Sequence, residues 1–167
     1  MLMESIVQLK TPHEFAFECM QTDAQRVIDK IEDISDQLPQ VDCPLNHFFY
    51  PGLYVKERRF PAGILVTTPV HTEEHPYTIV SGTAVVWIEG VGCKKLIGPH
   101  NGVTKPGTRR LILCETDVVW MTFHPNPTDT KDLEELDKRL FYHWKEERRK
   151  INQLALKEQN DQNEPTV

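Results

Sequence analysis

The chain contains no apolar run approaching the ~20 residues that a membrane-spanning helix needs, so no transmembrane segment is expected. Met1 to Lys10 has no basic stretch leading into an apolar one, and no secretion signal is expected there. Basic residues do not dominate: the formal net charge is -6, which gives no general attraction to nucleic acid or to an anionic membrane. The four cysteines, Cys19, Cys43, Cys93 and Cys114, form no C-x-x-C pair, which removes a zinc knuckle and a thioredoxin-type centre. Scattered thiols in a mid-sized acidic chain read as reduced, buried cysteines of a cytoplasmic protein. No glycine-rich phosphate loop is present, and Ser5, Ser35 and Ser81 all lie outside a G-x-S-x-G context, so no nucleophile-base arrangement is legible.

What is present divides into zones by pattern. At 167 residues, with 39% hydrophobic and 26% charged, the chain fits one soluble domain with a core of useful size. Residues 1–40 read as an N-terminal helical extension. Thr11-Pro12-His13-Glu14 supplies a cap, a proline at the first helical position and a glutamate three residues after the cap. Met20, Ala24, Val27, Ile31, Ile34 and Leu38 then recur at alternating spacings of four and three, one seam of a single helix that Pro39 ends. That seam packs either on the chain's own barrel or on a neighbouring subunit, and a homo-oligomer is expected.

Residues 41–128 read as short strands punctuated by glycine and proline: Leu53 to Phe60, Ile64 to Val70, Tyr77 to Val80, Thr83 to Ile88, Arg110 to Cys114 and Val118 to Phe123. Many short strands without helical crossovers predict an antiparallel sandwich or barrel. Residues 129–158 read as one C-terminal helix with Leu133, Leu136, Leu140, Trp144, Ile151 and Leu154 on one face, capped by Asp129 or Thr130. Its later basic cluster, Arg148, Arg149 and Lys150, suits the helix dipole and is weak evidence for nucleic acid. Residues 159–167 read as a disordered tail.

One spacing in the strand zone points to a family. Gly63 is followed by five residues, then Pro69-Val70-His71, then three residues, His75, six residues and Gly82. This resembles the first motif of the cupins, glycine, His-x-His, glutamate and closing glycine, with proline in place of the first histidine and His75 in place of the glutamate. Lys105-Pro106-Gly107-Thr108-Arg109-Arg110 resembles the second motif, with Arg110 at its histidine position. The stretches Phe49 to Val55, Phe60 to Gly63, Val80 to Gly82 and Val118 to Pro125 further resemble small cupin-like proteins of phages and prophages, a group with no assigned reaction. The resemblance implies a mainly β, antiparallel cupin-type (double-stranded β-helix) barrel carrying the two helical extensions.

The site readings remain several. His71, His75, Glu74 and His124 are the candidate ligands for a divalent transition metal such as zinc, iron, nickel or manganese, since imidazoles suit those ions and about three ligands are needed. Glu73 is a further candidate ligand or base. Alternation along a strand sends one of Arg109 and Arg110 inward, where a guanidinium grips a carboxylate or phosphate or pairs with Glu74 or Glu115. Tyr77, Trp87 and Lys105 are candidates for the same pocket. Three functions follow: a protein binding a small anionic ligand, with a host nucleotide signal as one candidate; a metal-dependent isomerase or dioxygenase; and an assembly protein. The first is preferred because arginine replaces a metal ligand.

Overall fold

A computed structural model describes residues 10–162. Its outline follows from where the sequence caps, alternates and turns. The helix α1 (Pro12–Cys19) starts with Thr11 and Glu14 in a reciprocal capping box and with proline in the first turn. The single N-terminal helix expected from the seam is in fact two. Thr22 adopts an extended backbone and its hydroxyl accepts from the Gln25 amide, which ends one helix and caps the next, α2 (Asp23–Ser35).

The strands are β1 (Leu45–Tyr50), β2 (Gly52–Phe60), β3 (Leu65–Thr67), β4 (Val70–His71), β5 (His75–Ser81), β6 (Thr83–Ile88), β7 (Gly92–Ile97), β8 (His100–Thr104), β9 (Arg110–Cys114) and β10 (Val118–Asn126). All but β4 form two antiparallel sheets, in the orders β1-β2-β10-β5-β8 and β3-β9-β6-β7. The chain passes repeatedly from one sheet to the other, which is the arrangement of the cupin-type double-stranded β-helix, although the sheets do not close into a continuous ring. Gly82, the closing glycine of the first motif, joins β5 to β6 at a φ of +93°, and a Cβ there would lie 2.0 Å from the Asp117 carbonyl oxygen.

The C-terminal zone departs from the expected single helix. α3 (Leu133–Leu140) is capped by Asp132, not by Asp129 or Thr130; its carboxylate accepts from the amides of Glu134 and Glu135. The chain then extends into β11 (Phe141–Tyr142), which pairs with β4, before α4 (Trp144–Gln162) begins. α4 continues through residues 159–162 of the expected tail, where neither glycine nor proline interrupts it; 163–167 lie outside the described residues. Ile151 and Leu154, expected to pack, are exposed. Of the thiols only Cys114 is buried; Cys93 is exposed, and all four are free.

Core and site share the same inward rows. On β5, β9 and β10 the row begins apolar, with Ile79, Cys114 and Val118, and these pack with Ala84, Val86, Ile112 and Trp120. Burying a side chain such as Ile79 or Val86 contributes about 1.5–3 kcal/mol. Two residues along each strand the row changes character, because side chains on one face recur every second residue. β2 runs from Phe60 to Arg58 and Lys56, β5 from Ile79 through Tyr77 to His75, β9 from Ile112 to Arg110, and β10 from Trp120 through Thr122 to His124. One end of the interior is therefore an apolar core and the other is polar.

Candidate functional site

A cavity of about 270 Å³ opens at the polar end. Phe60, Ile112 and Trp120 floor it, Thr67, Thr68 and Thr122 supply hydroxyls, and Phe141 of β11 closes one side. Its charged lining comprises Lys56, Arg58 and Arg110 against the single acid Asp137, with His71 and His143 also facing it.

Arg110 is 3% exposed. Its Nη2 donates to the Thr104 hydroxyl at 2.7 Å, and the guanidinium carbon lies 5.1 Å from the centre of the Tyr77 ring. Its Nε is buried without a hydrogen-bond partner, and among the described residues no carboxylate comes within ion-pair distance of the guanidinium. Glu74 and Glu115, the acids expected to pair with an inward arginine, are instead taken by Lys105 and Lys95 at the surface. Burial lowers the Arg110 pKa, with Tyr77 opposing, yet a guanidinium stays charged at any physiological pH. A buried cation without an acidic partner favours an anion as its counterpart.

Lys56 and Arg58 reach the cavity from alternate positions of β2. The Lys56 ammonium sits 4.2 Å from the centre of the Phe141 ring. Burial, together with Arg58 beside it, pushes its pKa down to about 8, with Asp137 opposing. Asp137 is held by His143, whose Nε2 lies 2.5 Å from the carboxylate at the mouth of the cavity.

At the back of the cavity His71 of the lining meets two further imidazoles, His75 and His124. The ring centres of His71 and His75 are 4.7 Å apart and those of His75 and His124 are 4.2 Å apart. The structure brings His71 and His75 together although three residues outside any strand separate β4 from β5. Burial, with His75, Arg110, His124 and Lys56 adding, drives the His71 pKa well below its usual value. Burial takes His75 down to about 4 against the pull of the Glu73 carbonyl, and takes His124 down to about 2 with His75 and Lys56 contributing. All three are therefore neutral near pH 7.

Nitrogens His71 Nδ1, His75 Nε2 and His124 Nδ1 are buried and unpartnered, so lone pairs are available for a metal. Yet among the described residues no three His, Cys, Asp or Glu side chains are arranged to hold an ion. Glu74 points to the surface and pairs with Lys105, Glu73 lies beside Arg139, and two cations, Arg110 and Lys56, raise the potential at the cluster. These residues do not fit a divalent metal.

The other expected site residues lie elsewhere. Arg109 is buried on the opposite side of β9 from the cavity, where Asp29 (2.9 Å) and Glu32 (2.5 Å) of α2 enclose it. Trp87 belongs to the outward row of β6, alternate to the buried Ala84 and Val86, and Lys105 is an exposed surface residue. Tyr77 lies beneath Arg110, stacked on Trp120 at 4.8 Å, and belongs to the core rather than to the lining. The cavity residues that sequence reasoning missed are Lys56, Arg58, Asp137, Phe141 and His143. For the first two a signal existed, since Lys56 and Arg58 share a strand face with Phe60. For the last three it was hidden by the apparently continuous helical pattern.

The basic cluster of α4 also acquires partners. Arg148 grips Asp33 with two hydrogen bonds of 2.9 and 2.7 Å, and Arg149 and Lys145 both engage Asp36. With the indole of Trp144 donating to Asp29, these contacts fasten α2 to α4. No helix of the described residues is long and apolar enough to cross a membrane.

No family model matches the chain, and no curated protein matches it. Solved structures do resemble it. An uncharacterised conserved protein with a double-stranded β-helix domain from Klebsiella pneumoniae is 12% identical at a TM-score of 0.45, over 58% of this chain and 90% of that one. A cupin-2 domain containing protein from Shewanella frigidimarina is 11% identical at a TM-score of 0.41, over 57% of this chain and 92% of that one. Ectoine synthase from P. lautus is 9% identical at a TM-score of 0.48, over 63% and 78%. At such identities the likeness concerns architecture alone, and the assignment of the fold rests on the strand order of the two sheets themselves.

Proposed function

We propose that the chain is a small-molecule-binding protein of cupin-type fold whose cavity takes a compact anionic ligand. The observation that carries this reading is the buried Arg110 guanidinium, which faces the cavity without a carboxylate partner and has Lys56 and Arg58 on the facing strand. An anion there exchanges water for charge-assisted hydrogen bonds in a site of low dielectric, where such bonds are about twice as strong as neutral ones. The apolar floor of Phe60, Ile112 and Trp120 suits a short carbon skeleton, and the three threonines suit hydroxyl or carbonyl groups. A volume of about 270 Å³ favours a small acid over a nucleotide.

The test is calorimetric titration with lactate, inorganic phosphate and the uncharged lactamide. Binding of the anions without binding of lactamide is the expected result. Equal affinity for lactate and lactamide, or no binding of any, overturns the reading.

Self-association belongs to the same proposal. α2 turns Gln25, Ile28, Asp29 and Glu32 to the barrel and leaves Val27 and Ile34 exposed, with Ala24 and Ile31 half-buried and Leu38 exposed just beyond its C-terminus. Apolar residues alternating by three and four along an open helix face are the pattern of a helix-pairing seam, and a second copy of this chain supplies a matching one.

A further inference from the structure

We propose that Lys56 is a nucleophilic amine that captures the carbonyl carbon of a 2-oxo carboxylate as an imine, with Arg110 holding the carboxylate; this deepens, and rests on, the reading of the cavity as an anion site. Lys56 differs in setting from the lysines around it. Lys105, Lys138 and Lys145 are each tied to an acid, Glu74, Glu134 and Asp36. Lys56 is half-buried, lies within the cavity, and among the described residues has no carboxylate at ion-pair distance.

Its surroundings weaken the ammonium relative to an exposed lysine, so that a usable share of neutral amine is present near neutral pH. Arg58 lies along the same strand and Arg110 on β9 faces the same space, while the ring of Phe141 on β11 shields the amine from water even as its face attracts the ammonium. His71 and His124 stand near enough for Lys56 to disfavour their protonation, and they reciprocate with neutral rings rather than with countercharge. The one acid among its neighbours, Asp137 on α3, is already engaged by His143. An amine desolvated beside other cations is the arrangement that makes lysine a nucleophile near neutral pH, and the depressed pKa of Lys56 agrees with it.

The step balances without a further reactant. The neutral Lys56 amine adds its electron pair to the carbonyl carbon, and the oxygen takes up both amine protons in turn and leaves as one water molecule. The product is a C=N bond to Nζ, with the carboxylate intact beside Arg110. His71, a neutral imidazole lining the cavity, is placed to carry a proton from nitrogen to oxygen. Two cationic groups of different kind in one small space thus divide the work. The guanidinium, which never gives up its proton, holds the acid, and the amine, which does, takes the carbonyl.

The experiment is reductive trapping on the full chain with pyruvate and sodium cyanoborohydride, read by intact mass and by peptide mapping, beside a lactate titration of the same protein. One adduct per chain, on the peptide carrying Lys56 and lost in Lys56→Arg, is expected. Thermal unfolding of that variant establishes that it is folded, and mapping of the wild type locates the adduct independently of any variant. Adducts spread evenly over Lys105, Lys138 and the other surface lysines overturn the proposal. Lactate binding with no adduct at Lys56 overturns it while leaving the anion site standing, whereas failure of both removes the anion site as well. An adduct formed as fast from acetone as from pyruvate overturns the assignment of a 2-oxo carboxylate.

Discussion

Arg109 and Arg110 are neighbours in sequence and are both buried, yet they face opposite sides of β9: Arg109 closes on Asp29 and Glu32 of α2, and Arg110 faces the cavity without an acid. Strand alternation separates them, and the difference in their partners separates their roles. The first neutralises charge to dock a helix, and the second keeps its charge available.

Arg109→Met leaves Glu32 buried without a countercharge and leaves Asp29 only the more distant Arg148, at 3.7 Å. Breaking a buried ion pair from one side costs about 3–5 kcal/mol, so the urea midpoint of the variant falls steeply and α2 loses its seat. A loss below about 1 kcal/mol contradicts the docking role.

Acid destabilises the protein through its imidazoles. The folded pKa values of His75 and His124, about 4 and about 2, lie below the ordinary 6.5, and that of His71 is lowered in the same direction. The unfolded chain therefore binds more protons below pH 6.5. Stability is fully present above that value and falls as pH drops from 6.5 towards 4, by up to ~1.4 kcal/mol per pH unit for each imidazole. Urea unfolding at stepped pH measures the slope. A flat profile between pH 6.5 and 4.5 contradicts the burial of neutral rings.

The exposed row on α2 predicts more than one chain per particle in light scattering, reduced to one chain by Ile34→Asp with the circular dichroism unchanged. A wild-type particle of one chain contradicts self-association through this helix.

Metal content gives a further check. Protein purified without an affinity tag is expected to hold far less than one transition-metal ion per chain, because Arg110 and Lys56 crowd the imidazoles and no acid reaches them. A near-stoichiometric ion that His75→Ala abolishes contradicts this account of the histidines.

Much of the architecture was legible because it depends on local chemistry. The capping box at Thr11, the turn glycines and the alternation on β2, β9 and β10 are written in residues close together in the chain. The breaks were not. Leu133, Leu136, Leu140 and Trp144 keep a helical rhythm through Phe141 and Tyr142, and only the open edge of β4 makes those two residues a strand. The face that α2 turns to the barrel was hidden for a related reason. Its apolar row was legible, but the barrel takes the polar row instead, because Arg109 demands Asp29 and Glu32. Strands β1, β7 and β8 were missed where polar residues such as Asn46, Lys94, Lys95 and Asn101 dilute the β pattern. Within the site, the meeting of His75 with His124 and the separation of Arg109 from Arg110 follow from the positions of neighbouring strands and from the helix that covers one face.

Whether Arg110 makes the cavity an anion site is decided by lactate titration of wild type, Arg110→Gln and Arg110→Lys. Removing a charge-assisted hydrogen bond costs about 1.5–3 kcal/mol, so Arg110→Gln is predicted to bind lactate at least about tenfold more weakly, with Arg110→Lys between the two. Thermal unfolding of each variant, and Arg58→Gln as a second probe of the lining, separate lost binding from lost folding. Equal lactate affinity in wild type and a folded Arg110→Gln contradicts the account.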